Sequence, residues 1–356
     1  EQWNQGTAFE PGSGSTIMGY PGICGSDNLQ SNPDPVFHSV SIEQIVNHVD
    51  EAVPHVGTRI PTGNSLPVID AGPDFTVPAG TPFALTATAS DADPDDVVTY
   101  SWEQRNLGPQ RGVSVPDDGA IPLFRAWLPT TDPTRTFPRL SDLLDNTTAV
   151  GESLPLTTRS LDFTVTARDG RGGVASDQMS LQVIDTGQPF RVTFPDTSLA
   201  WPALSRQTVR WDVAGTSTNG IDTDTVDILL SLDGGNTFSV TLASKVPNDG
   251  EHEVVLPHQQ SDAARIKVAG HGNVFFDVSN ADFSLTAPQP SVVALESGGA
   301  TLVGEGGVSD SYQVWLGTVP AGPVTVAAAS LGQVELSKDG SSFFTSIDLT
   351  FTDASP

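Results

Sequence analysis

Forty-three acidic residues against sixteen basic ones leave this 356-residue chain with a net charge of −27, a balance that repels nucleic acid and anionic lipid and argues against both as partners. No run of about 18 apolar residues is present, so no helical membrane span is expected. The single cysteine, Cys24, cannot close a disulfide within the chain; it implies either a partner outside it or a free thiol.

The 34 glycines and 28 prolines supply the turns that an all-β architecture of short strands needs, and the length suits two or three domains. Glu1-Gln2-Trp3-Asn4 lacks the basic and apolar regions of a secretory leader, while the acidic balance fits an extracellular protein that binds divalent cations.

The first 65 residues differ from the rest. They open with a loop of small and turn-forming residues, Gly12 to Gly25 (GSGSTIMGYPGICG), followed by a predicted helix from Ser41 to Val53. Ser41 and Gln44 make a capping box there, and Val40 with Ile45 makes a hydrophobic staple. Ile42, Ile45, Val46, Val49 and Val53 recur at helical spacing as one apolar stripe. Pro54 ends the helix, and a polar linker runs to about Asn64.

From Leu66 onward the hydrophobic period is two. Thr81 to Ala89, Val97 to Trp102, Leu161 to Ala167 and Met179 to Val183 alternate as short strands at sandwich spacing. A longer excursion, Asn106 to Glu152, reads as a decorated loop. Asp185-Thr186-Gly187 marks a boundary. A second set of strands follows, among them Gln207 to Val213, Val226 to Leu232, a hairpin at Asp233, Ala264 to Ala269 and Asn273 to Val278. The chain restarts at Ser291 with a unit of about 65 residues, short for a sandwich of about 100. The expected division is 1–65, 66–187, 188–287 and 288–356. Trp102 and Trp211, mid-strand in the two sandwiches, are expected in their cores.

Asp91, Asp93, Asp95 and Asp96 stand on the loop before the Trp102 strand. Alternate aspartates aim several hard oxygens at one point, as Ca²⁺ requires, and Asp169 and Asp177 lie near enough in the strand order to complete the shell. The pattern is not an EF-hand, since the glycine and the bidentate glutamate of that loop are absent. Without metal these are Asp-rich turn residues on a solvated edge. Asp222, Asp224, Asp227 and Asp233 read as solvated.

Ser15-Thr16-Ile17-Met18-Gly19-Tyr20 resembles the Met-turn of metzincin zinc peptidases. The likeness extends through Thr7 to Gly12, Ile42 to Ile45, Phe137 to Leu143, Asp185 to Gly187 and Phe275 to Phe283, and is similar to bacterial secreted reprolysin-like metalloproteases. Ala71 to Val77 and Tyr100 to Trp102 are similar to PKD-like and Ig-like modules. Val303 to Gly307 with Leu349 to Thr352 is similar to the first half of a Calx-β repeat. The resemblance implies a mainly β chain: tandem Ig-like antiparallel sandwiches preceded by a short α-containing remnant of a metzincin catalytic domain and followed by a partial Calx-β-like unit.

It further implies a secreted zinc metalloendopeptidase acting on protein substrates or at an extracellular surface or matrix. Met18 would be the hydrophobic floor of the zinc site. Tyr20 would ligate zinc or stabilise an oxyanion, with a packing role the equal alternative. Cys24 would pair with a cysteine of an N-terminal catalytic half outside this chain; a buried free thiol is the other reading. Zinc itself needs HExxHxxGxxH, two histidines one helical turn apart with a Glu base and a third after a Gly turn. None of the six histidines, His38, His48, His55, His252, His258 and His271, stands in that pattern. The interval His252-Glu253 to His258 is wrong for it and reads as surface strand. The chain alone is therefore expected to be inactive, and an adhesive or structural β-sandwich protein is the alternative.

Overall fold

The computed structural model describes residues 5–51, 58, 60–109, 112–296, 303–304, 309–332 and 334–352. It is mainly β, built of antiparallel sheets in which two parallel pairings recur at corresponding places.

The first sandwich comprises β1 (Val68–Asp70), β2 (Phe75–Pro78), β3 (Phe83–Thr86), β4 (Thr88–Ser90), β5 (Thr99–Gln104), β6 (Thr134–Phe137), β7 (Arg159–Arg168) and β8 (Val174–Ile184). One layer runs β2-β8-β7-β5; β3-β6, packed against it through Phe83 and Phe137, and β1-β4 are separate two-stranded sheets. β2 lies parallel to β8, the remaining pairs antiparallel. The period-two residues meet between the layers: Leu161, Phe163, Val165, Leu181 and Val183 are fully buried. Phe83, Phe124, Phe137 and Phe163 pack there with ring centroids from 4.8 to 6.1 Å apart.

Phe124 and Phe137 belong to the excursion expected as a loop. It instead supplies β6, a short helix α2 (Leu140–Leu144), and core residues Ile121 and Leu123. β6 escaped the periodicity because it is four residues long and ends against Pro138, so it offers one alternation only.

The second sandwich holds β9 (Arg191–Phe194), β10 (Ala200–Pro202), β11 (Arg206–Asp212), β12 (Thr225–Ser231), β13 (Val240–Pro247), β14 (Glu251–Val255), β15 (Ser261–Gly270), β16 (Phe276–Val278) and β17 (Phe283–Thr286). Its layers are β10-β17-β15-β12-β13 and β14-β11-β9, with β10 parallel to β17. In each sandwich an early strand crosses over to lie parallel to the last one, which gives both the same Ig-like plan. Trp102 and Trp211 are buried as expected. Each indole N–H is satisfied, at 3.0 Å by the Pro133 carbonyl and at 2.8 Å by Asn248 Oδ1.

The two sandwiches are fused rather than strung. Phe275 bridges to Phe83 and stacks edge-on against Phe190 at 5.0 Å. The Ala84 N–H donates to the Val274 carbonyl and the Phe276 N–H to the Pro82 carbonyl, both at 3.0 Å. One continuous apolar cluster, from Ala71 to Leu285, results.

Beyond it, β18 (Val292–Glu296) pairs with β19 (Tyr312–Leu316), and β20 (Val324–Ala329) with β21 (Ser346–Phe351), as two separate ribbons. Among the described residues of this unit, only Val293 and Phe351 are buried apolar side chains. Residues 305–307 of the Calx-β-like match lie outside the described residues.

Helix α1 runs Ser39–Glu51, two residues ahead of the expected start. Val53, Pro54 and His55 lie outside the described residues. Ser41 is inside the helix, so it cannot act as the capping-box residue. The expected stripe is not the docking face either: Ile45, Val46 and Val49 are exposed. Phe9, Leu29, Val36 and Val40 are buried instead, and polar contacts hold the segment to the first sandwich.

Candidate functional site

The opening loop is organised by Glu10, a residue without any sequence motif to announce it. Its carboxylate accepts the Ser15 N–H at 2.7 Å and stands 2.8 Å from Ser15 Oγ and 2.6 Å from Thr16 Oγ1. Gly14 faces it at φ +67, where a Cβ would stand 2.9 Å from Glu10 Oε2; glycine is needed for both reasons. Ser15 Oγ also lies 3.0 Å from the Ala126 carbonyl, and Arg125 reaches Gln30 and the Leu29 carbonyl, so the loop is fastened to the first sandwich. The turn closes with the Gly19 N–H on the Thr16 carbonyl at 2.9 Å and the Tyr20 N–H on the Ser13 carbonyl at 2.7 Å.

On this pinned backbone the apolar side chains point away from their own chain. Met18 is 63% exposed, Ile23 69% and Tyr20 40%. Cys24 is exposed too, with Sγ 3.4 Å from the Tyr20 carbonyl, which overturns the buried-thiol reading.

The second arrangement lies between β4 and β5. Ligand atoms of Asp91, Asp93 and Asp96 lie within 4.8 Å of one another, and among the described residues they are the one group of three or more His, Cys, Asp or Glu side chains so placed. The Asp93 N–H donates to Asp91 Oδ1 at 2.9 Å, and Asp93 Oδ2 accepts the Ser65 N–H at 2.7 Å. The Asp96 side chain is only 5% exposed, its Oδ1 facing Arg171 Nε at 3.1 Å. Oδ2 of Asp91 and Oδ2 of Asp96 are buried without a hydrogen-bond partner. Buried carboxylate oxygens without donors are costly, and hard oxygens so grouped suit Ca²⁺. The residues fit the ion.

Not all the expected ligands join them. Asp95 is exposed and outside the group, because the turn at Pro94 carries it to the solvent side. Asp169 is buried next door but spent: it accepts from Asn64 Nδ2 at 2.7 Å and from the N–H groups of Arg171 and Gly173 at 2.7 and 2.9 Å. Those bonds, Asn64 first, hold its carboxyl below the ordinary range. Asp177 Oδ2 accepts the Ala71 N–H at 2.8 Å on the sheet edge. Thr62, Gly63 and Asn64 of the linker wall an open cleft with Asp93, Asp95 and Asp96. Sequence spacing did not point to the linker or to Arg171, since both arrive through the fold.

Elsewhere, Asp227 is paired rather than solvated, with His271 Nδ1 at 2.8 Å and Ser244 Oγ at 2.6 Å. Asp233 shapes its hairpin, accepting from Ser231 Oγ and from the Thr237 N–H and hydroxyl, and these bonds lower its pKa to about 2.

No protein-family profile matches the chain, and no curated protein matches it. Solved structures overlap it only weakly. The N-terminal Ig1-2 module of the Drosophila receptor protein tyrosine phosphatase DLAR overlaps 63% of this chain and all of that one, at 12% identity and a TM-score of 0.31. The I9-I11 tandem from titin overlaps 81% of this chain and 90% of that one, at 11% identity and a TM-score of 0.17. SGBP-B of the Bacteroides ovatus mixed-linkage glucan utilization locus, solved with a mixed-linkage heptasaccharide, overlaps 81% and 70%, at 14% identity and a TM-score of 0.17. Likenesses this slight do not bear on activity.

Proposed function

We propose that this chain is the C-terminal portion of a secreted zinc metalloendopeptidase, whose Ig-like sandwiches bind protein substrate or an extracellular surface. The observation that supports the reading is the opening loop: a backbone fixed by Glu10 presents Met18, Tyr20 and Ile23 outward. Apolar side chains stabilise when covered, by roughly 1.5–3 kcal/mol each. In this reading the cover is a catalytic half that carries HExxHxxGxxH, with Met18 as the floor beneath its histidines. Cys24, exposed beside Tyr20, pairs with a cysteine of that half. Zinc held there by that half's histidines would supply a polarised water as nucleophile, and Tyr20 would place its phenol toward the charge that develops.

Calcium at Asp91, Asp93 and Asp96 belongs to the same proposal. The two orphaned buried oxygens support it, and the ion would tie the linker to the first sandwich.

The test is a chain extended upstream to include an HExxHxxGxxH segment. It is expected to cleave a denatured protein with zinc, to lose that activity to a chelator, and in Tyr20→Phe to lose about a hundredfold in kcat. The 356-residue chain alone is expected to be inert; metal-dependent turnover by it would sink the proposal. The second reading, an adhesive or structural protein, is favoured by the fused core of the two sandwiches. An extended chain that binds its surface but cleaves nothing would select it.

A further inference from the structure

Glu103 is 1% exposed; Arg135 of β6 and Arg168 of β7 attract its charge, but its hydrogen bond goes to the N-terminal segment. It lies on β5, where Trp102 points into the core and its neighbours point to the opposite face, as strand alternation requires. That face is covered by the N-terminal segment. Glu103 Oε2 accepts the N–H of Ser39, the first residue of α1, at 2.5 Å and stands 3.6 Å from His38 Nδ1. His38 Nδ1 in turn accepts the Val40 N–H at 3.2 Å. Oε1 is buried without a partner. The cations around it bind the segment too: Arg168 donates to the Phe37 carbonyl at 3.3 Å, and Arg105 to Ser39 Oγ at 3.3 Å and to Glu43 at 2.9 Å.

A helix leaves its first N–H groups unpaired and carries partial positive charge at that end. Helices meet this need with a side chain of their own just ahead of the first turn. In α1 the residue before Ser39 is His38, whose ring takes the Val40 N–H only, and the Ser39 N–H goes to another module. We propose that Glu103 is a latch: the first sandwich caps α1 from outside, and this contact fixes residues 37–51 on it. Loss of the carboxylate frees that part of the segment while both sandwiches stay folded. The inference does not depend on the protease reading, since what it describes is the attachment alone.

Hydrogen exchange of the full chain tests it. In Glu103→Ala the amides of residues 37–45 are expected to exchange about tenfold faster or more, the loss of a buried charge-assisted hydrogen bond. Those of β7, β8, β12 and β15 are expected to stay within about twofold of wild type. Ser39→Pro removes the same donor from the segment's side, together with the hydroxyl that takes Arg105, and leaves every sandwich residue in place; proline is tolerated in a first helical turn, and the variant should reproduce the loosening. Unchanged exchange at 37–45 in either variant overturns the latch. Equal acceleration in the sandwich strands also overturns it, because Glu103 would then be a part of the core.

Discussion

Asp277 Oδ2 accepts the Val192 N–H at 2.7 Å, and burial pushes its pKa up to about 7 from an ordinary 3.8. An acid whose folded pKa is raised holds its proton more firmly folded than unfolded. Stability therefore declines as pH rises from about 4 to about 7 and levels off above that. Asp277→Asn keeps an acceptor for Val192 and is expected to match wild type near pH 4, then to melt progressively higher through pH 7. Parallel Tm curves across that range would refute the assignment. Single residues were legible in the sequence where one periodicity governs them: Trp102 and Trp211 stand mid-strand and are buried. Glu10, Glu103 and Asp277 were not. A charged residue in a loop or an alternating strand reads as facing water; Glu10 turns back on Ser15 and Thr16, and only the fold brings Ser39 against Glu103 and Val192 against Asp277.

At the scale of elements, the loop between β4 and β5 carries a test of its own. Ca²⁺ at about 100 times its Kd adds about 2.7 kcal/mol to the folded state, which raises Tm by about 5 °C or more. Asp96→Ala is expected to abolish that rise, and Asp95→Ala, at an exposed position, to leave it. Identical melts with Ca²⁺ and with a chelator would remove calcium from the proposal. The aspartate spacing was enough to place Asp91 and Asp93 together, because residues two apart in a turn share a side. It could not exclude Asp177, whose carboxylate is committed to the Ala71 N–H. Helix α1 was likewise visible in its period, but its start was not: the group that receives the Ser39 N–H lies 64 positions away in the chain.

For the molecule as a whole, the shared core makes the two sandwiches one cooperative unit. Phe275, fully buried between Phe83 and Phe190, is the residue to cut. Phe275→Ala is expected to cost about 3–5 kcal/mol and to lower the melting of both sandwiches together. Two calorimetric transitions in the wild type, of which only the second sandwich's shifts, would show two independent domains. The change of strand set at Asp185 to Gly187 is plain in the sequence. The seal across it is not, since Phe83 and Phe275 each fit the pattern of their own strands and nothing local says that they face each other.

The parallel pairings of β2 with β8 and of β10 with β17 have a mechanical consequence. In each sandwich an early strand and the last strand run side by side in the same direction, so tension applied to the two ends of the chain slides one past the other. The hydrogen bonds between them, which lie across that direction, must then fail together rather than one at a time. Stretched between an anchored partner and a moving one, this chain would resist extension as a stiff tether and give way abruptly.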